Sequence, residues 1–571
     1  DLTAGTRTHR GNVNFNYGKG RFGFHLSGGG HYNRPHEGET YLEREELGTH
    51  PSILRQEGIN IGSRLGYRGN SGIEFNVNEI SSLNATFSMR NFENKNESTL
   101  ASVYTVDNVL FDKYERFADG VSGRNGWDAE IDYKINPGEK REWSVAFKVD
   151  HDVNKTDYTY NQDYKYPIGL ESTLEENHNS RNNMEITAQT DLVQPLSKSL
   201  VLETGIKGTL RQLESDFSFN LFDPDLEVWN EDPVRTDIFY YDQNVYAGYA
   251  SMTFGFGKSI SLITGARYEL TTLKGSFEEF DSPFENEYSN VLPNLTLAAK
   301  VGEYNQLKAS YTQRIQRPSQ RHVNPFIEYT DNRDISFGNP SLFPELIHQV
   351  ELGSTFFING SMISTFVFGR RTEDLIENLL TINDNGVSES TYYNFGKKSA
   401  IGINVFGSLN IGDLSLRGGF DVNAFEVEGN FGNEFLSNTG HDFNGRMNIT
   451  WAISGTFRVE GFSFYQSPTY TVQGRTPNWT MMGFGLKKEF LKRRLILGLN
   501  FTEPFRENNI LIRELESSDF YQYSRTSRPV RSFGINLGYR FGKLDFKERS
   551  GKKKVNNNDL KDDDRGNETQ F

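Results

Sequence analysis

The sequence predicts an all-β fold: a transmembrane antiparallel up-and-down β-barrel of about 22 strands, with short turns at one end and long loops at the other. Three observations predict it. Apolar and polar residues alternate in many short runs, as in Leu83, Ala85, Phe87 and Met89 against Asn84, Thr86, Ser88 and Arg90. Connections sort by length, a tight turn following each long segment. No run of about 18 apolar residues exists, so helical membrane spans are excluded.

The alternating runs recur along the chain. Trp143, Val145, Phe147 and Val149 alternate with Ser144, Lys148 and Asp150; Leu307, Ala309 and Tyr311 with Lys308, Ser310 and Thr312. Near the end, Phe533, Ile535, Leu537, Tyr539 and Phe541 alternate with Gly534, Asn536, Gly538 and Arg540. A period of two puts each set on its own face of a sheet. The oily set predicts a belt against lipid, and the polar set a wet lumen. Hairpin signals stand at 17–21, 136–140, 195–199, 256–258, 359–360, 410–413 and 454–455; a basic one stands at 491–494. Between them, long loops are expected near 94–122, 155–178, 217–240, 273–287, 317–344, 372–388, 428–439, 466–474 and 506–526. A bacterial barrel sorts its connections this way, with short periplasmic turns and long extracellular loops.

Composition is compatible with this reading but does not force it. The 571 residues are only 35% hydrophobic, yet 13% are aromatic and 54 are Gly. A mean hydropathy of -0.63 also suits a large soluble β protein such as a propeller, solenoid or multi-sandwich adhesin. The asymmetry of the connections decides for the barrel. Absence of Cys excludes disulfides and thiolate metal sites. A net charge of -15 argues against a general nucleic-acid binder. The ten His are scattered without ligand spacing and no catalytic constellation stands out, so neither enzyme activity, metal nor cofactor is expected. Two regions are expected: the barrel over 1–546, its first strand cut short, and a charged, Asn-rich tail over 547–571, disordered on the periplasmic side.

Several segments resemble the barrel of TonB-dependent receptors of the Bacteroidetes-type outer-membrane family. RIQRPSQRHVNPF from Arg314, GNPSLFPE from Gly338 and VELG from Val350 carry the resemblance most specifically. Arg10 to Arg34, NVLPNLTLAAKV from Asn290, YYNFGKKSAIGINVFGSLNI from Tyr392 and the NNNDLK run from Asn556 are similar as well. The resemblance implies the bacterial outer membrane as location and import of a scarce ligand (siderophore, oligosaccharide or peptide). The inner-membrane TonB complex would act through a plug. No plug or TonB-contacting segment is present, so the expectation is a truncated protein, with a plugless barrel the alternative. A plugless barrel would serve as a structural subunit or a passive pore. The partners implied are outer-membrane lipid and the barrel-assembly machinery, with no nucleic acid; whether a surface lipoprotein caps the barrel stays open.

Candidate site residues follow from both readings. On outer loops, Arg317, Arg321, His322, Asn324, Phe326, Tyr329 and Trp229 are candidates for ligand contact; the prolines nearby equally fit a rigid loop. Lys148, Lys207, Lys308, Arg314, Arg417 and Arg540 are expected to face the lumen, lining a substrate path or packing a plug. Ser532, Gly534, Leu537, Tyr539 and Phe541 resemble the C-terminal signal read by the assembly machinery, or are ordinary strand alternation.

Overall fold

In the computed structural model, all residues are described except 139, 280–282, 433, 543–554 and 562–571. The described strands form one sheet that closes on itself. Leu2–Gly5 pairs antiparallel with Ser532–Tyr539, Leu2 opposite Leu537 and Gly5 opposite Gly534. The wall is a closed antiparallel barrel of 22 strands. No described helix is long and apolar enough to cross a membrane.

The belt follows the alternation read from the sequence. Trp143, Val145 and Phe147 are 42%, 40% and 48% exposed, while Ser144 and Ala146 between them are buried. Phe533, Ile535, Leu537 and Tyr539 are exposed on the closing strand. These oily side chains face outward, where lipid would cover them. The tight turns lie where the hairpin signals stand. Asn359 and Gly360, for example, both take positive φ (49° and 77°), the geometry whose twist matches flanking strands.

The long connections differ from expectation. Most are strand rather than loop: Ser81–Val106 and Val109–Gly138 run through 94–122 and meet at a turn of Asp107 and Asn108. A membrane needs about 9–11 residues per strand, so these ribbons continue well beyond it. On Arg141–Tyr166 the outward set changes from Trp143, Val145 and Phe147 to Lys155, Asp157 and Asn161. Both faces there are polar, so no hydrophobic alternation marked them as strand, yet the backbone ladder simply carries on.

Four successive wall strands near the end are short: Phe457–Gln466, Trp479–Phe490, Leu495–Thr502 and Ser532–Tyr539. Above the last of them the hairpin of Asn508–Glu516 and Phe520–Pro529 completes the cylinder by pairing with Phe22–Glu46, Phe520 opposite Glu46. The core also sits at this long-strand end, inside the ring. On Leu200–Asp223 the inward residues Thr209, Arg211, Leu213, Ser215, Phe217 and Phe219 are all buried. Leu213, Ser215 and Phe217 are covered by the segment 317–344, which turns inward instead of out.

Part of the tail expected over 547–571 is described. Residues 555–561 lie along the lumen wall, hydrogen-bonded to it; the remainder of 547–571 falls outside the described residues.

Ile206 is 65% exposed within the belt, and Gln212 lies on the same outward face above it. We expect Ile206→Arg to cost about 2–4 kcal/mol in vesicle unfolding titrations and Gln212→Arg about 0–1 kcal/mol. Equal costs would contradict the placement of the belt.

Candidate functional site

The inward segment begins where the ladder can no longer continue. Strand Asn305–Gln316 ends at Arg317, and Pro318 has no N–H to donate. A single turn, Gln320–Val323, follows, with the Ser319 backbone N–H donating to His322 Nδ1 at 3.0 Å. The chain then doubles back: Gly338 N–H donates to the Asn324 carbonyl at 2.7 Å and Asn339 N–H to the His322 carbonyl at 2.6 Å. A side chain at position 338 would put its Cβ 2.5 Å from the Asn324 oxygen, so only glycine fits.

One side of this loop packs on the wall strands of 200–277. Arg317 Nη2 donates to Glu269 Oε2 at 2.7 Å and to Thr271 Oγ1 at 2.9 Å. Asn324 donates to Ser215 Oγ at 3.1 Å, and Phe326 stacks on Phe217 with centroids 5.4 Å apart. Val323 joins Leu213, Phe239, Tyr241 and Leu273 in an apolar cluster. The far end of the loop reaches a different arc. Arg333 donates to Asp112 and lies 3.7 Å over the Tyr104 ring. Gln56 donates to Asp331, and Asn332 donates to Tyr164 Oη at 3.3 Å. Arg44 Nη2 donates to the Gly386 carbonyl at 2.7 Å, while Asp334–Ser336 pairs in parallel with Ser388–Ser390. The loop therefore lies inside the ring and ties two arcs of the wall together.

Burial, with Asp334 adding to it, pushes the Asp331 carboxyl above its ordinary range. Beneath the same end of the loop, Arg116 lies 4.0 Å over the Tyr160 ring with its guanidinium nitrogens unpaired. The Gln162 amide is also buried without hydrogen-bond partners.

The second element in the lumen is the segment 555–561. Lys207 Nζ donates to the Asn556 carbonyl at 2.7 Å, and Asn557 Nδ2 donates to Thr187 Oγ1 at 2.9 Å. Arg211 grips Asp559 with two bonds of 2.9 and 2.7 Å, and Arg317 Nη1 adds a third at 2.8 Å. Burial by itself would raise the Asp559 carboxyl, but Arg211 and Arg317 outweigh it and hold the group well below the usual carboxylate range.

Of the outer-loop candidates, Arg317, His322 and Asn324 are buried in the lumen instead of being displayed outside. Their polar atoms are engaged with the wall and with the loop itself, which no single-sequence pattern reveals. Arg321 sits 3.5 Å from Glu328. Trp229 stays 38% exposed, edge-on to Phe222. The side chain of Tyr329 lies outside the described ones. Lys148 stands 3.6 Å from Asp150 and Lys308 3.4 Å from Glu351. Arg314 and Arg417 fall on the face opposite the outward Leu307 and Phe420. Arg540 lines a polar recess of about 330 Å³ with Arg458, Glu460, Lys487 and Glu489. Ser532, Gly534, Leu537 and Tyr539 lie on the closing strand, and Phe541 just beyond it. Sequence reasoning missed Arg44, Asp112, Arg116, Asp331 and Arg333; a charged pair in a long loop carried no signal of its partner. Among the described residues no group of His, Asp and Glu is placed to hold a metal ion.

A closed wall with an oily belt and an inner face rich in polar and charged contacts defines an outer-membrane β-barrel. The chain belongs to the outer membrane protein beta-barrel family, whose model matches residues 134–539. No curated protein matches it in sequence. Its fold is similar to that of the ferric-catecholate import receptor Fiu from K12 E. coli, at 11% identity and TM-score 0.58, over 93% of this chain and 81% of that one. It is also similar to P. aeruginosa FpvA bound to heterologous pyoverdines, at 11% identity and TM-score 0.56, over 93% and 71%. The copper transporter OprC matches at 11% identity and TM-score 0.55, over 95% and 82%.

Arg333→Met would leave Asp112 buried without its partner, a loss of about 3–5 kcal/mol. Hydrogen exchange at Asp334–Ser336 should accelerate accordingly, and adding Asp112→Leu should restore much of the protection. Unchanged exchange would show that the ion pair does not hold the loop.

Proposed function

We propose that the protein is an energy-coupled importer of a scarce ligand, a siderophore, oligosaccharide or peptide, driven through the inner-membrane TonB complex. The observation that carries the reading is the loop 317–344 folded into the lumen. A ring of this strand number encloses a channel wide enough for a solute, and such rings in outer-membrane transporters are plugged. Here the loop 317–344 lies inside the channel, attached to the wall through polar contacts that can be exchanged. The similar folds include an import receptor and a copper transporter, which supports transport rather than catalysis.

In this reading TonB acts through a plug. Ligand is captured at the long-strand end, where Trp229 is exposed. The inner-face cations Lys148, Lys207, Lys308, Arg314, Arg417 and Arg540 line the path or the plug surface. Ser532, Gly534, Leu537, Tyr539 and Phe541 serve as the signal for the barrel-assembly machinery. A surface lipoprotein is a further candidate partner at the rim.

The test is accumulation of labelled ferric siderophores, oligosaccharides and peptides in cells producing the native protein, with and without TonB. At least one probe should accumulate only when TonB is present. Accumulation of any probe to the same level without TonB would identify a passive pore and overturn the proposal.

A further inference from the structure

The segment 555–561 lies in the lumen as a peptide lies in a binding groove. Its contacts are almost all polar. Asp559 receives three charge-assisted bonds from Arg211 and Arg317, both buried. The Arg317 backbone N–H donates to the Asp559 carbonyl at 2.6 Å, and Lys561 N–H donates to the Arg317 carbonyl at 2.7 Å. Lys561 Nζ then reaches Glu345 Oε1 at 2.7 Å. Arg317 is the first residue of the inward loop and Glu345 the first of the strand after it. One short peptide thus fastens both roots of the loop, and through Arg211 fastens them to the wall.

We propose that Arg211 and Arg317 form a site for the carboxylate of an extended acidic peptide, occupied in cis by Asn556–Lys561 as a removable strap that locks the inward loop. The wall supplies the matching charge. Lys207, Arg211, Arg267 and Arg317 face Glu185 and Glu269, an excess of positive charge that one carboxylate reduces. The strap also differs from the loop it holds. Val323, Leu342 and Phe326 of the loop enter apolar clusters, whereas in the strap only Val555 is a buried hydrophobe. Removing the strap therefore uncovers little apolar surface, and Arg211, Arg267 and Arg317 retain Glu185 or Glu269 as partners.

The chain lacks cysteine, so a cross-link can be placed cleanly. In the full chain in membranes, Asn557→Cys with Thr187→Cys should cross-link on mild oxidation, because the two native side chains are 2.9 Å apart. Asp559→Asn leaves the wall untouched and should empty the site. That variant should bind the free peptide VNNNDLK, and the same peptide carrying Asp559→Asn should bind about tenfold or more weakly. Failure of the cross-link, or equal binding of the two peptides, overturns the strap. Neither readout involves TonB or cargo, so this result and the import result fail independently.

Discussion

Inside a bilayer no water is at hand for a backbone N–H or carbonyl, and each one left unpaired costs several kcal/mol. The rest of the structure depends on that constraint. It requires the sheet to close, which four residues at Leu2–Gly5 achieve against Ser532–Tyr539. It also makes the wall indifferent to side-chain polarity, since the ladder alone satisfies the backbone. That is why strands such as Val109–Gly138 continue through polar sequence far above the belt. Lipid then selects only one face of the lower part.

Closure creates a second problem. A ring of 22 strands encloses more space than its own inward side chains can fill. The chain fills the long-strand end with its own segments. The loop 317–344 enters through a proline break and is held by apolar contacts on one arc and ion pairs on another. Leucines and phenylalanines there face inward, opposite in sense to those of the belt. Leu213 and Phe217 are buried in the lumen, while Ile206 on the same strand is exposed outward. One strand therefore carries two hydrophobic surfaces, on opposite faces and at different heights.

Charge does most of the fastening in the lumen. Buried ion pairs contribute little net stability compared with apolar packing, but they fix orientation and break at high cost when one partner is lost. Arg44, Arg211, Arg317 and Arg333 each bind groups from distant parts of the chain. Such contacts are specific and exchangeable.

The sequence by itself determined the barrel: its strand number, its oily belt, its tight turns and the absence of spanning helices. Each of these follows from local alternation and turn chemistry, which neighbouring residues suffice to specify. Tertiary structure alone decided what enters the lumen. Nothing local to Arg317, His322 or Asn324 distinguishes a residue displayed to solvent from one turned inward, because their partners Glu269, Tyr392 and Ser215 lie on other strands. The same holds for Asp559, whose charged, Asn-rich surroundings resemble a solvated tail until Arg211 and Arg317 are brought to it. Patterning reports which face of a strand is oily; only the closed ring decides which residues meet across it.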